Sequence, residues 1–249
     1  MASAEPGPIA FPGARLDDAD FSGARLHSPN FEGTRITDGW LRGADISADI
    51  EGLRLNGVDI APLVEAELDR RFPQRVKLRA ADPQGLADGW TIVEEIWRST
   101  VARARALPEP LLFERVDGDW SLVETLRHLV FATDCWLSRM VRHESRPYHR
   151  WGLAGSWLTD PVSLGVDPDA NPSFEEVLRV RGERQERVKQ TIAGLSPAEL
   201  ERVCVPPDSP GYPTEARSVL HCLHVILNEE WEHSRYANRD LDILAGPSG

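Results

Sequence analysis

Four long stretches with helical spacing of apolar residues occupy the C-terminal two thirds of this 249-residue chain. They cover residues 83–107, 121–142, 173–194 and 216–244. In the first, the apolar residues recur at intervals of three and four: Leu86, Trp90, Val93, Trp97, Val101 and Ala104. Because each helix must bury its apolar face against another element, we expect a mainly α protein built on a four-helix bundle.

Start signals support two of these helices. Ser121 stands three residues before Glu124, and Ser173 stands three residues before Glu176. In such a capping box the two side chains satisfy backbone N–H groups that the first helical turn leaves free. The long connections, residues 143–172 and 195–215, are expected to form walls or lids of a functional site.

Composition is ordinary for a soluble globular protein, with 41% hydrophobic and 27% charged residues. No apolar stretch is long enough for a membrane span, and residues 1–10 lack the features of an export signal, so we expect a cytoplasmic protein. The net charge of −12 argues against direct binding of nucleic acid. Three cysteines without zinc-ribbon or thioredoxin spacing are expected to be reduced. The sequence leaves the oligomeric state open, with a dimer as one possibility.

The N-terminal part carries a five-residue repeat of large apolar residues. They are Phe11, Leu16, Phe21, Leu26, Phe31, Ile36, Leu41 and Ile46. Two positions before most of them stands a small residue: Ala14, Ala19, Ala24, Thr34, Gly39 and Ala44. Residues 9–50 therefore resemble the pentapeptide-repeat family, which implies a right-handed square β-helix of about two coils with both sets pointing inward.

The repeat ends after Glu51, where an alternating segment suggests a closing strand, and Pro62 is expected to open a short helix. We place the domain boundary in the polar connection that follows. The predicted domains are residues 1–70, with the repeat and its cap helix, and residues 71–249, with the bundle.

A potential metal site lies in the last helical stretch. Glu229 and His233 stand four residues apart, so that they project from one helical face and can reach the same divalent ion. His128 could add a third ligand from another helix and leave coordination positions open, as a catalytic metal requires. The alternative is a simple side-chain pair on a solvated helix. Apolar residues on both sides of this helix favour an enclosed site, in which a carboxylate and an imidazole need partners.

Residues 119–129 resemble the metal-helix signature of the DinB-like superfamily, a Trp-Ser helix start followed by a histidine before a leucine. Glu229 and His233 resemble the other half of the signature in the YfiT-like branch that includes mycothiol-dependent maleylpyruvate isomerase. The resemblance covers residues 84–244. It implies that His128, Glu229 and His233 bind a divalent metal such as zinc or nickel. Further groups that could contact substrate or support the ligands are Tyr236, Asp240 and Glu124.

Two classes of function follow. In the first, a metal-activated thiolate of a small thiol attacks an electrophile, as in an S-transferase or isomerase, with mycothiol favoured by analogy. In the second, the chain is a non-catalytic metal- or ligand-binding protein, or a stress-related protein that binds a partner through the repeat. DNA mimicry by so short a repeat and an iron oxygenase built on the same ligand types are weaker alternatives.

Overall fold

The computed structural model describes residues 11–26 and 29–246. The described residues exclude residues 1–10, in which no export signal was expected. They also exclude positions 27–28 of the repeat and the last three residues of the bundle domain. By its internal contacts the chain divides into two units, Met1–Asp38 and Gly39–Gly249. The division expected at residues 70 and 71 stays a prediction.

Turns recur regularly through the five-residue repeat. Glycines with φ between 68° and 74° stand ten residues apart at Gly13, Gly23, Gly33 and Gly43. Each allows the next N–H to bond back to the carbonyl three residues earlier, as from Ala14 to Phe11. Asp18 and Asp38 also have positive φ, midway between two of these turns. The chain therefore bends with the periodicity that its sequence predicts.

The expectation that the large repeat residues point into a β-helix is not confirmed. Their side chains, from Phe11 to Ile46, remain 50–65% exposed. No strand is formed within residues 11–26 and 29–50, so a closed β-helix is not seen there. A repeat of this length offers few further repeats against which such side chains could pack.

A short hairpin and a helix follow the repeat. Strands β1 (Arg54–Leu55) and β2 (Val58–Asp59) pair antiparallel, and α1 spans Ala61–Arg71. A 3₁₀ segment, Pro73–Arg79, then turns back along α1. The buried guanidinium of Arg75 joins the two segments by ion pairs with Glu65 and Asp69.

Four long helices confirm the predicted helical stretches, and the protein is mainly α-helical. They are α2 (Pro83–Arg105), α3 (Leu122–Thr133), α4 (Phe174–Ala193) and α6 (Val219–Ala245), with the short α5 (Pro197–Glu201) between the last two. The capping boxes expected at Ser121 and Ser173 are both formed. One difference is that α3 changes to π-helical hydrogen bonding over Asp134–Val141.

Packing defines the order of the helices around the bundle. Helix α2 contacts α6 and α4, and α3 contacts α4 and α6, so the order is α2, α6, α3, α4. Helices α2 and α3 thus stand diagonally opposite, as do α4 and α6, whereas α3 and α4 are neighbours although residues 143–172 lie between them in the chain. The most deeply buried core residues come from all four helices and include Leu86, Trp90, Leu126, Leu129, Leu137, Val177, Leu223 and Ile226.

An ion pair crosses the bundle interior. Arg181 of α4 makes two hydrogen bonds to Glu230 of α6, at 3.0 and 2.6 Å, and both side chains are almost fully buried. The guanidinium also lies over the ring of Trp97, 4.4 Å from its centroid. These contacts compensate two charges that would be costly to bury alone.

The connection after α5 forms a second small hairpin, in which β3 (Val203–Cys204) pairs antiparallel with β4 (Arg217–Ser218) directly before α6. None of the helices in the described part of the chain is long and apolar enough to cross a membrane.

Candidate metal centre

Three side chains meet between α3 and α6. The Nε2 atom of His128 and the Nε2 atom of His233 each lie 3.2 Å from the same oxygen of Glu229, Oε2. One ligand atom from each residue lies within 4.8 Å of the others. Among the described residues this is the group that could hold a metal ion. The structure therefore brings together the three ligands that the sequence suggested.

The helices explain this placement. The capping box at Ser121 fixes the start of α3, so that His128 comes almost two turns into the helix. On α6, the four-residue spacing puts Glu229 and His233 on one face. Because α3 packs against α6, His128 comes close to Glu229 and His233.

The distances fit a shared divalent ion. Ligand atoms that bind one ion at about 2.1 Å lie about 3.0 to 3.4 Å apart in octahedral or tetrahedral coordination. The two 3.2 Å separations from Glu229 fall in this range. The three side chains are 12–31% exposed, so the group is sheltered yet remains open to a small ligand.

The orientation of His128 also fits a metal. Its Nδ1 lies 3.0 Å from the carbonyl oxygen of Leu153, and a carbonyl can only accept, so Nδ1 carries the proton. Nε2 of a neutral His128 then presents a lone pair toward the carboxylate of Glu229. Two lone pairs at 3.2 Å repel unless a proton or a cation lies between them. The donor set therefore fits a bound cation, with the imidazole held as metal-ligating histidines usually are.

Electrostatics keeps Glu229 ionised. Burial alone would raise the pKa of this carboxyl, but when no ion is bound and the imidazoles carry a second proton, hydrogen bonds and charge interactions with His128 and His233 hold its pKa well below the usual value. A carboxylate that stays charged is a competent metal ligand at neutral pH.

Aromatic rings cover one side of the group. The ring of Trp120 lies 4.6 Å from that of His128 and 6.0 Å from that of His233, measured between centroids. Tyr236 contacts His233 at 6.3 Å in an edge arrangement. These rings restrict the imidazoles to their present orientation and give the site an apolar border.

The model of one protein family matches residues 92–237, which include α3, α4, most of α6 and all three candidate ligands. The chain belongs to the DinB superfamily. No curated protein matches it significantly. No solved structure does so either.

Two buried arginines, one in α3 and one in its π-helical extension, bind the backbone of the two long connections of this DinB-superfamily bundle. Arg127 donates hydrogen bonds to the carbonyl oxygens of Trp151, Asp167 and Pro168. Arg139 donates to four carbonyls of the other connection, those of Pro207, Ser209, Pro210 and Pro213. Each connection is thereby held against the bundle through its backbone.

The two connections also meet each other. The hydroxyl of Tyr148 donates to the carbonyl of Tyr212 and accepts from its N–H, at 2.9 and 3.0 Å. Gly211 lies beside this pair, where there is no room for a side chain. A Cβ there would lie 2.3 Å from the Tyr148 hydroxyl oxygen. That these connections form walls or lids of a functional site stays a prediction.

The remaining residues singled out from the sequence lie around the group of three. Tyr236 is beside His233, whereas Asp240 bonds to Arg239, which also pairs with Asp119. Glu124 serves the capping box and pairs with Arg115. For Tyr236, Asp240 and Glu124, a role toward substrate stays a prediction.

Four other histidines stand apart from the group. The Nε2 atom of His224 bonds to the carbonyl of Ala80, and the ring of His221 contacts Trp136. His143 bonds to a loop carbonyl, and Nδ1 of His149 accepts from the N–H of Trp151.

Two features beside this DinB-superfamily site were not predicted from the sequence: the Leu153 carbonyl that accepts from His128, and the buried Arg127. The carbonyl of Leu153 gives no signal, because every residue type carries the same backbone group. Arg127 does give one, since it is a charge in the otherwise apolar run that contains Leu126 and Leu129. A charged side chain so placed requires a buried partner.

Proposed function

We propose that this member of the DinB superfamily is a divalent-metal-dependent enzyme that joins a small thiol to an electrophile, as an S-transferase or an isomerase of the mycothiol-dependent type. The observation that carries the proposal is the approach of two imidazole nitrogens to one oxygen of Glu229, each at 3.2 Å. Three protein ligands leave at least one coordination position for a substrate.

Each ligand has a distinct part in holding the ion. Nε2 of His128 is directed by the Leu153 carbonyl, and Glu229 supplies the negative charge. His233 completes the set from one turn farther along α6. A divalent ion held by these groups would lower the pKa of a bound thiol and keep the thiolate beside the electrophile.

Charge balance favours an anionic ligand in the open position. Two neutral imidazoles and one carboxylate carry a net charge of about −1, so a divalent ion leaves the centre at about +1. A thiolate neutralises that charge. The rings of Trp120 and Tyr236 beside the imidazoles offer apolar surface to the carbon skeleton of either substrate.

The ligand types suit several metals. Imidazole nitrogens with one carboxylate oxygen accept zinc, nickel, iron or manganese. We propose zinc or nickel. A cytoplasmic location also belongs to this proposal, supported by three buried cysteines that are free rather than paired.

The test is a panel of thiols offered to the metal-loaded protein with a generic electrophile. The panel contains mycothiol, glutathione and free cysteine, each with 1-chloro-2,4-dinitrobenzene and with a cis-configured unsaturated diacid. We expect turnover with one thiol that is lost on chelation, restored by the metal and absent in His128→Ala. His221→Ala is the matched control and should retain activity. A metal-loaded protein that is silent with every thiol would overturn the enzymatic proposal in favour of a metal- or ligand-binding role.

A further inference from the structure

Arg127 stands next to the candidate ligand His128 in the chain, yet its side chain leads away from the group of three. It is 5% exposed, and the partners found for its guanidinium are carbonyl oxygens: Trp151 at 3.0 Å, Asp167 at 3.0 Å and Pro168 at 3.3 Å. Burial lowers the pKa of this group, which reflects the cost of removing the charge from water. Burying a cation against neutral carbonyls costs free energy. The packing of α3 alone would require only an apolar side chain at this position.

The bond from Arg127 to Trp151 holds the segment that carries the Leu153 carbonyl. The N–H of Leu153 donates to the carbonyl of Arg127 at 3.2 Å, and the Leu153 carbonyl accepts from Nδ1 of His128 at 3.0 Å. Arg127 itself reaches Trp151, two residues earlier. The backbone of residues 151–153 is therefore fixed to consecutive residues of α3 at three points.

Gly152 makes the contact tighter. A Cβ at this position would lie 3.1 Å from the carbonyl oxygen of His149 and 3.3 Å from Cβ of Phe131. The segment thus approaches α3 as closely as a glycine permits. A side chain there would push it outward by a few tenths of an ångström, and the Leu153 carbonyl would move with it.

We propose that Arg127 is a positioning residue for the metal centre, acting through the Leu153 carbonyl to fix the proton of His128 on Nδ1 and to aim Nε2 at the ion. The inference rests on the proposed metal function and adds to it. The buried charge of Arg127 then supports the metal centre, and the connection over residues 143–172 belongs to that centre. Loss of such an outer hydrogen-bond partner weakens metal binding by about ten- to a hundredfold in proteins.

A matched control is available in Arg139. It is buried on the same continuous helix and also bonds to loop carbonyls, but those carbonyls belong to residues 207–213 rather than to the segment with Leu153. Arg127→Lys and Arg139→Lys thus make the same chemical change and loosen different connections. A general loss of stability would affect both variants.

The experiment is a titration of the metal-free proteins with Co²⁺ alone, followed by the visible d–d absorption and by the melting temperature without metal. We expect Arg127→Lys to weaken Co²⁺ binding about tenfold or more and to shift the absorption bands, and Arg139→Lys to keep both near wild type. Gly152→Ala should act in the same direction as Arg127→Lys, and it serves if that variant does not fold.

Three results would contradict the inference. They are Co²⁺ affinity within about twofold of wild type in both Arg127→Lys and Gly152→Ala, equal losses in Arg127→Lys and Arg139→Lys, and unshifted absorption bands. Failure of the proposed metal site is distinguishable, because wild type itself would then bind no Co²⁺. Failure of the enzymatic proposal alone would leave Co²⁺ binding by wild type intact and would appear only in the thiol panel.

Discussion

Nε2 of His128 lies 3.2 Å from Oε2 of Glu229, although the two residues are 101 positions apart in the chain. The first belongs to α3 and the second to α6, so the contact exists only because those helices pack side by side. A carboxylate and an imidazole brought together in this way, with a second imidazole one turn beyond, form a group that could hold a metal ion.

Removing one partner of the ion pair inside the bundle should lower stability strongly. Arg181→Met leaves the buried carboxylate of Glu230 without its partner, and we expect a loss of about 3–5 kcal/mol in the free energy of unfolding. Arg179→Met, two residues away on the same helix, removes an exposed pair with Glu183 and should cost less than about 1 kcal/mol. Urea denaturation measures both changes. Similar losses in the two variants would contradict the assignment.

Glycines in two settings should respond oppositely to alanine. Gly211 has φ of 144° and faces the Tyr148 hydroxyl, so Gly211→Ala should cost about 1–3 kcal/mol. Gly182 lies on an exposed turn of α4 with free space around it, so Gly182→Ala should stabilise by about 0.5–1 kcal/mol. Thermal unfolding of the two variants provides the measurement. A stable Gly211→Ala would show that the two connections are not locked together there.

Asp134 should make stability depend on pH. Burial raises its pKa to about 6 despite the ion pair with Arg184, compared with 3.8 for an ordinary aspartate. The folded state therefore binds a proton more tightly than the unfolded state. Its contribution is present in full below about pH 4 and is lost as pH rises through about 6.

The comparison is between wild type and Asp134→Asn, unfolded by urea at several pH values between 4 and 7. The difference in unfolding free energy, wild type minus variant, should fall by on the order of 1–3 kcal/mol across this range and then level off. A difference that increases with pH would mean that Asp134 is stabilised as a carboxylate in the folded protein.

The sequence predicts the long helices well, because apolar spacing and capping boxes are local signals. Ser121 with Glu124 marks the start of α3 correctly. The change to π-helical geometry at Asp134 carries no comparable signal. It accompanies a buried carboxylate whose partners, Arg184 and the N–H of His149, come from distant parts of the chain.

The candidate site was predictable in part for the same reason. Glu229 and His233 can be paired from their spacing alone, whereas His128 needed the resemblance of its helix start to a known signature. The carbonyl of Leu153 lies in an irregular connection and could not be assigned. For the five-residue repeat, the spacing is a local signal, whereas the burial of its side chains could not be predicted from it. Turns recur along the repeat, but burial depends on contacts between repeats that the spacing alone does not give, and residues such as Phe11 remain exposed.

The most direct test of the central claim is the metal content of the purified protein, measured by plasma mass spectrometry after reconstitution with zinc or nickel and removal of free ion. Wild type and the control His221→Ala should each hold close to one ion per chain, and His233→Ala should lose it. The account is contradicted if wild type holds no ion, or if His233→Ala retains as much as wild type.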